Sequence, residues 1–406
     1  MLNHRLINLV LVLVALHVAA VSAFAQVRML GTVGDSLTDE YTEETYNYAR
    51  NWTMQLVTQR ALDMGPTASQ ASGGQPGATW GEPRRIGYWT NWARSGADSA
   101  AAIGTGQHTG VAAQVGLGGV THVVIAVGAN DFNPQTGVYF NIYWGLWSQA
   151  TIDNYVNARA ANITTIVQTI RTTGAGIVLC NAVDFGLVPA SRGVFTNASR
   201  RGRVASAVAQ LNTRIEAIAR DNHALLVDLN NFTTQIIGTH TSLRQFIPIG
   251  NVSIQLFNRD TATNTNALAG FVDDGAHPHT TLQGAFSNLM MTAFNNGWGG
   301  RFDTSGAAVA FNLLTDAEIL ALANIPYGGA ETLTTQIGPY SQYLRSYLCP
   351  GDLDFDQSVN TSDLVLILAA FGQPVQPGTN GDTNRDGIVT TADLVAFLGV
   401  FGVGCP

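Results

Sequence analysis

The stretch Val27-Arg28-Met29-Leu30-Gly31-Thr32-Val33-Gly34-Asp35-Ser36-Leu37-Thr38-Asp39 decides the fold. A short apolar run closes on Gly34-Asp35-Ser36, which reads as a strand that delivers a serine at its end. Three further β-branched runs follow, at His122 to Val127, Gly176 to Asn181 and Ala224 to Asp228. Helical patterns separate them at 150–172 and 200–221, the second with apolar residues at Val204, Val208, Leu211, Ile215 and Ile218. Buried strands alternating with amphipathic helices predict a parallel α/β sheet covered on both faces. In such sheets the active groups gather at the carboxyl ends of the strands.

The unusual residues of this chain fall at those ends. Ser36 follows the first strand, where its hydroxyl and its backbone N–H both face the loop region. Alone it reads as a helix N-cap. Asn130 lies in Gly128-Ala129-Asn130-Asp131, just past the second strand, and alone reads as a turn residue. Gly96, in Arg94-Ser95-Gly96, offers a backbone N–H with no side chain in front of it. Asp274-Gly275-Ala276-His277-Pro278 places an acid three residues before a histidine, so the acid can fix the imidazole tautomer and leave the other nitrogen as base. Acyl transfer by serine needs a nucleophile, a base, an orienting acid and donors for the oxyanion, and the four segments supply one of each.

With those four blocks in this order, residues 26 to about 300 resemble the SGNH (GDSL-type) esterases and lipases. The resemblance implies a flavodoxin-like three-layer α/β/α sandwich. It implies Ser36 as nucleophile, His277 as base and Asp274 as its orienter. It further implies an oxyanion hole made by Ser36 N–H, Gly96 N–H and the Asn130 amide, with no cofactor for catalysis. Asp273 is one residue too early to serve His277, and His279 is expected to be structural. The aromatic run Tyr139 to Trp147 reads either as a wall of the substrate cleft or as core, and 230–270 reads as an insertion of undisclosed role.

Composition narrows the chemistry further. All 20 basic residues are arginine, so a Schiff-base lysine and a P-loop lysine are excluded. The net charge of −8 is carried mostly by the tail, where residues 349–406 hold seven aspartates and one arginine. No basic stripe appears, which speaks against nucleic acid as a partner. At the amino end Arg5, the apolar run Leu9 to Ala20 and Ala23-Phe24-Ala25 predict a signal peptide cleaved after Ala25 and therefore a secreted, extracellular protein. No later stretch is long enough to span a bilayer. Cys349 and Cys405 bracket the acidic tail and suggest a disulfide formed in an oxidising compartment, while Cys180 sits in an apolar run and reads as buried.

The tail has its own pattern. Asp352, Asp354, Asp356, Ser358, Asn360 and Asp363 stand at positions 1, 3, 5, 7, 9 and 12 of a loop. Asp382, Asn384, Asp386, Ile388, Thr390 and Asp393 repeat the spacing, with Gly387 at position 6 and the Ile388 carbonyl at position 7. A hard cation that takes six to eight oxygens calls for this density of ligands. Each loop runs into an apolar segment, so the tail is a duplicated loop-plus-helix unit. It resembles the type I dockerins, which implies a small all-α domain with two structural calcium ions and a cohesin-type partner. The expected organisation is a signal peptide at 1–25, a hydrolase domain at 26–330, a connecting segment at 331–348 and a dockerin-like domain at 349–406. The expected function is a secreted serine esterase, tethered through its tail, that removes acetyl groups from plant polysaccharide. A lipase or lysophospholipase, and an inactive binding or assembly protein, are the alternatives.

Overall fold

The computed structural model describes residues 27–259, 266–302, 308–376, 378–384 and 386–406, so the expected signal peptide lies outside the described residues. Four strands, β1 (Leu30–Gly34), β2 (His122–Ala126), β3 (Gly176–Cys180) and β4 (Leu225–Val227), pair in parallel and in sequence order. Every residue in them is buried. This is the mark of a sheet covered on both sides, where strands need no polar face.

Helices supply the cover. Side chains alternate along a strand, so β2 sends Val124 and Ala126 to one face and Val123 and Ile125 to the other. The first face meets α1 (Trp52–Arg60), through Trp52 and Leu56. The second meets α2 (Gln107–Gly116), α3 (Gln149–Arg171) and α4 (Ala198–Asp221), through Val111, Ile163, Val167, Val204 and Leu211. Back on the first face lie α5 (Leu229–Ile237) and α6 (Thr280–Trp298), the latter buried along most of its length. The architecture is the SGNH-hydrolase-like α/β sandwich with a mostly parallel sheet.

The free edge of β1 is occupied without a regular strand. Thr32 N donates to Thr90 O (3.2 Å), Trp92 N to Thr32 O (3.1 Å) and Arg94 N to Gly34 O (3.1 Å). The segment Thr90 to Arg94 therefore runs alongside β1 and in the same direction. At the other side of β1, Gly34 packs so close that an added Cβ would stand 2.9 Å from Ala126 O, so no larger residue fits where the chain turns into Asp35-Ser36.

The 230–270 insertion builds a second, three-stranded sheet from β5 (Phe246–Ile249), β6 (Val252–Arg259) and β7 (Ala269–Phe271). The segment expected as a connection, 331–348, carries β8 (Leu344–Ser346), which pairs antiparallel with β4 as the fifth strand of the main sheet. Tyr340 and Tyr343, just before it, are buried in the core. The tail follows as two loops, each leading into a helix, α7 (Thr361–Ala370) and α8 (Thr391–Leu398). Val359, Ile367, Val389 and Phe397 form its small core, and Cys349 and Cys405 are joined by a disulfide.

A chain ending at residue 330 loses Tyr340, Tyr343 and β8, and exposes the edge of β4. At roughly 1.5–3 kcal/mol per buried large side chain, it is expected to melt about 10 °C or more below a chain ending at 348. Equal melting temperatures for the two chains would refute the structural role given to this segment.

Candidate active site

The sheet brings the four blocks to one end. Ser36 follows β1 directly and is 4% exposed. Leu37 N donates to Asp35 Oδ1 (3.0 Å), and Thr38 N and Asp39 N donate to Asp35 O, so the serine sits on a tight turn tied at its base. Among the described residues, neither Ser36 N–H nor Gly96 N–H donates to a protein acceptor. Gly96 is exposed and has φ +77°, a conformation L side chains rarely adopt, and the space a Cβ would fill is open. The Thr90–Arg94 segment that lies along β1 carries this residue to the serine end of the sheet.

Asn130 opens a 3-10 turn just after β2. Its Nδ2 donates to Ala97 O (3.2 Å), and its Oδ1 accepts from Asn133 Nδ2 (2.9 Å). These two bonds fix the amide and leave one N–H uncommitted. Its neighbour Asp131 is buried and accepts from Ser99 N and Ser99 Oγ, which binds this turn to the helix that follows Gly96.

His277 reaches the serine from the second sheet. Strand β7 ends at Phe271, the chain turns through Asp274 and Gly275, and Val272 N donates to His277 O (3.0 Å). Phe271 and Pro278 bridge across this turn. His277 Nε2 lies 2.5 Å from Ser36 Oγ, and Nδ1 is hydrogen-bonded to Asp274 Oδ2. Asp274 Oδ1 also accepts from Ala276 N (2.7 Å) and His277 N (3.0 Å). Burial pushes the Asp274 carboxyl up, but the His277 side chain and these backbone N–H groups outweigh it and hold the acid below its ordinary value. Asp274 is thus ionised at neutral pH and holds the imidazole with Nε2 toward the serine. Tyr41 steadies the turn by donating to Pro278 O (3.2 Å) while its hydroxyl accepts from Gln283 (2.7 Å).

The remaining readings resolve by position. His279 is 1% exposed and caps α6, its Nδ1 accepting from Thr280 N (2.8 Å), so it is structural. In the aromatic run Tyr139 and Tyr143 are core, whereas Phe140 and Trp144, four residues apart on one helix, are exposed. Arg200 stacks on Trp144 at 4.0 Å. Cys180 is fully buried, with its thiol pushed up by burial and then by Asp35, and is inert. Sequence reading missed the insertion's role as the carrier of the Asp274–His277 turn. It also missed Tyr41, Asp39 and Arg94, whose sequence context holds no spacing signal.

In the tail, one oxygen each from Asp352, Asp354 and Asp356 lies within 4.8 Å of the others. The position-12 acids Asp363 and Asp393 are buried and double as the third residue of a capping box with Asn360 and Thr390. Asp352 and Asp382, also buried, accept from loop N–H groups at Gln357 (2.9 Å) and Gly387 (2.9 Å). Burial pushes both carboxyls up. Clustered carboxylates at these loop positions suit a hard cation such as calcium.

Residues 32–281 match the GDSL-like Lipase/Acylhydrolase family, and the chain belongs to it; it is a carboxylic ester hydrolase. Among solved structures the chain is similar to Axe2, an acetylxylan esterase from Geobacillus stearothermophilus, at 13% identity and a TM-score of 0.37, covering 68% of this chain and 98% of that one. It is also similar to the psychrotrophic esterase EstA from Pseudoalteromonas sp., at 16% identity and a TM-score of 0.34, covering 66% of this chain and 97% of that one. No curated protein matches it in sequence.

The geometry separates the two neighbouring histidines. His277→Ala is expected to lower ester turnover about 10³-fold or more. His279→Ala is expected to keep turnover at the assay temperature but to lose about 0.5–2 kcal/mol of stability with its cap. Full activity in His277→Ala would overturn the assignment.

Proposed function

We propose that the protein is an exported serine esterase that releases short acyl groups, acetyl foremost, from plant polysaccharide through an acyl-enzyme on Ser36. The observation that carries this reading is the unbroken relay from Asp274 through His277 to Ser36 Oγ. In the first step Oγ attacks the ester carbonyl as His277 Nε2 takes its proton, and Asp274 supports the imidazolium. The oxyanion is held by Ser36 N–H, Gly96 N–H and the uncommitted Asn130 N–H. Collapse expels the alcohol, which receives the proton from Nε2. Water, activated by the same nitrogen, then hydrolyses the acyl-enzyme and frees the acid. No step calls on a metal.

The tail supports the polysaccharide part of the reading. Its twin loops suit two calcium ions, held by Asp352, Asp354, Asp356, Ser358, Asn360 and Asp363 in one and by Asp382, Asn384, Asp386, the Ile388 carbonyl, Thr390 and Asp393 in the other. In this reading calcium orders the module and takes no part in ester cleavage. The helices that follow expose Val365, Leu368, Val395 and Leu398. Such a patch on a small module suits a protein partner, for which we propose a cohesin-type module. Phe140, exposed on the helix that follows the Asn130 block, offers a sugar ring an aromatic face beside Trp144, whose ring carries Arg200.

One cavity bears on the choice between a short acyl group and a long chain. A cavity of about 50 Å³ lies between α5 and α6, lined by Leu37, Phe232, Ile236, Phe271, Pro278 and Leu282. Its wall includes the residues that follow Ser36 and His277, and its apolar lining and small volume suit a short acyl group rather than a lipid chain.

Ser36→Ala is expected to abolish hydrolysis with the fold intact by circular dichroism. Acetylated xylan tested beside p-nitrophenyl esters of rising chain length separates the two substrate readings. Release of acetate with a steep fall beyond four carbons supports the first, and a maximum at eight carbons or more supports the second. Chelation by EDTA is expected to lower the melting temperature of the tail, and a transition unmoved by EDTA would remove calcium from the account.

A further inference from the structure

We propose that Asp39 and Tyr46, on the segment just after the nucleophile, are positioning residues, Asp39 holding the Ser95-Gly96 turn and Tyr46 the His277 ring in register with Ser36. The inference rests on the assignment of Ser36 as nucleophile and Gly96 as oxyanion donor. A donor aimed by a loop contributes to rate only if the loop is fixed. The turn at Gly96 is exposed and has no helix or strand of its own, so its anchors must come from elsewhere.

Asp39 supplies the anchor. The residue is 6% exposed, and its Oδ2 accepts from Ser95 N at 2.8 Å and from Arg94 Nη1 at 3.0 Å. One carboxylate oxygen thus grips two successive residues immediately before Gly96. The segment is itself fixed, because Asn51 Nδ2 donates to Asp39 O (2.8 Å) and to Thr38 O (3.0 Å). Tyr46, 4% exposed, acts on the base instead. Its ring stacks on the His277 imidazole, with centroids 4.9 Å apart and planes 24° from parallel. A tyrosine face against an imidazole favours the imidazolium that forms when Ser36 loses its proton. One turn of chain therefore ties the oxyanion donor and the general base to the nucleophile's own loop.

The charge of Asp39 is set by its surroundings. Burial pushes the carboxyl up to about 7, against the Ser95 N–H and Arg94, with Glu43 and Glu44 adding to the rise. Glu43 also pairs with Arg94 (3.2 Å), and Glu40 adjoins Asp39 in the chain. Above pH 7 Asp39 is ionised and grips the turn; below it the carboxyl is protonated and the Arg94 contact weakens.

The test uses the full chain, with Asp39→Asn and Tyr46→Leu, and a fluorophosphonate probe whose adduct is located by mass spectrometry. Asp39→Asn is expected to lower kcat about 10- to 100-fold with KM within about threefold of the parent. The ratio of parent to variant kcat is expected to shrink toward 1 as pH falls from 8 to 6. Tyr46→Leu, which removes the ring from His277, is expected to lower kcat about 3- to 10-fold with KM within about threefold of the parent. If the probe labels Ser36 and both variants keep the parent kcat, or the Asp39→Asn ratio is flat with pH, the positioning role is overturned while the nucleophile stands. If the probe fails to label Ser36, the nucleophile assignment falls and the proposal with it.

Discussion

The contact between His277 Nε2 and Ser36 Oγ joins residues 241 positions apart, and the fold can be understood as the means of making it. The serine is delivered by the first strand of the main sheet. The histidine is delivered by the last strand of a separate three-stranded sheet, followed by the longest helix on that face. A contact of this span cannot form until both sheets have closed on the helices between them, because every intervening loop must first be ordered. The large buried face of α6, with Leu289, Phe294 and Trp298 set against the main sheet, fixes the second sheet's exit point.

Around that contact the site gathers buried acids with few cations. Burial pushes Asp35 up to about 6, Asp131 up to about 6 and Glu40 up to about 8, with Asp39 adding to the rise at Glu40. Glu40 is therefore largely neutral at pH 7. The sign for stability follows. A carboxyl whose folded value is raised from 4.5 to about 8 binds its proton more tightly in the folded state, so it works against folding progressively as pH rises through that interval. Tyr88 N–H, which donates to Glu40 Oε1 (2.8 Å), offsets part of that cost.

Much of this was legible in the sequence, for a physical reason. Strands buried on both faces must be apolar throughout, so β1 to β4 stand out as β-branched runs, and α3 and α4 show the 3.6-residue period of one buried stripe. Ser36, Asn130 and His277 each sit in a short motif whose residue types the chemistry restricts. Gly96 was readable as a residue, while the path that carries it was not: Thr90 to Arg94 line up on β1 through three backbone bonds that impose no side-chain pattern. Strand β8 was hidden likewise, since Leu344-Arg345-Ser346 pairs at an edge with only partial burial. The insertion's strands are short apolar runs set among threonine- and asparagine-rich loops, and their purpose depends on where β7 ends, which only the fold specifies. Asp39 and Tyr46 act through distant partners, and spacing along the chain carries no trace of that.

The two repeats of the tail are equivalent in sequence register but not in surroundings. In the first, Asp352 lies 3.3 Å from His223 of the hydrolase body, and Phe355 lies under Arg171 at 3.9 Å. Burial and then Arg171 push His223 down to about 4, so at neutral pH it meets Asp352 as a neutral imidazole rather than as a cation, with Gln357 Nε2 3.1 Å from the same nitrogen. Gln376 Nε2 donates to Thr173 O (3.0 Å), a second tie between tail and body. In the second repeat Asp382 accepts from Gly378, Asp386 and Gly387, all within the tail. One carboxylate therefore answers both to its own loop and to the body, whereas its counterpart answers to its loop alone. With β8 built into the main sheet three residues before Cys349, the tail begins where the hydrolase sheet ends. Its first loop is seated on the amino ends of β3 and β4, and the active site opens at the carboxyl ends of the same sheet. A partner held on the exposed helices α7 and α8 would thus sit on a rigid part of the enzyme and leave the cleft unobstructed.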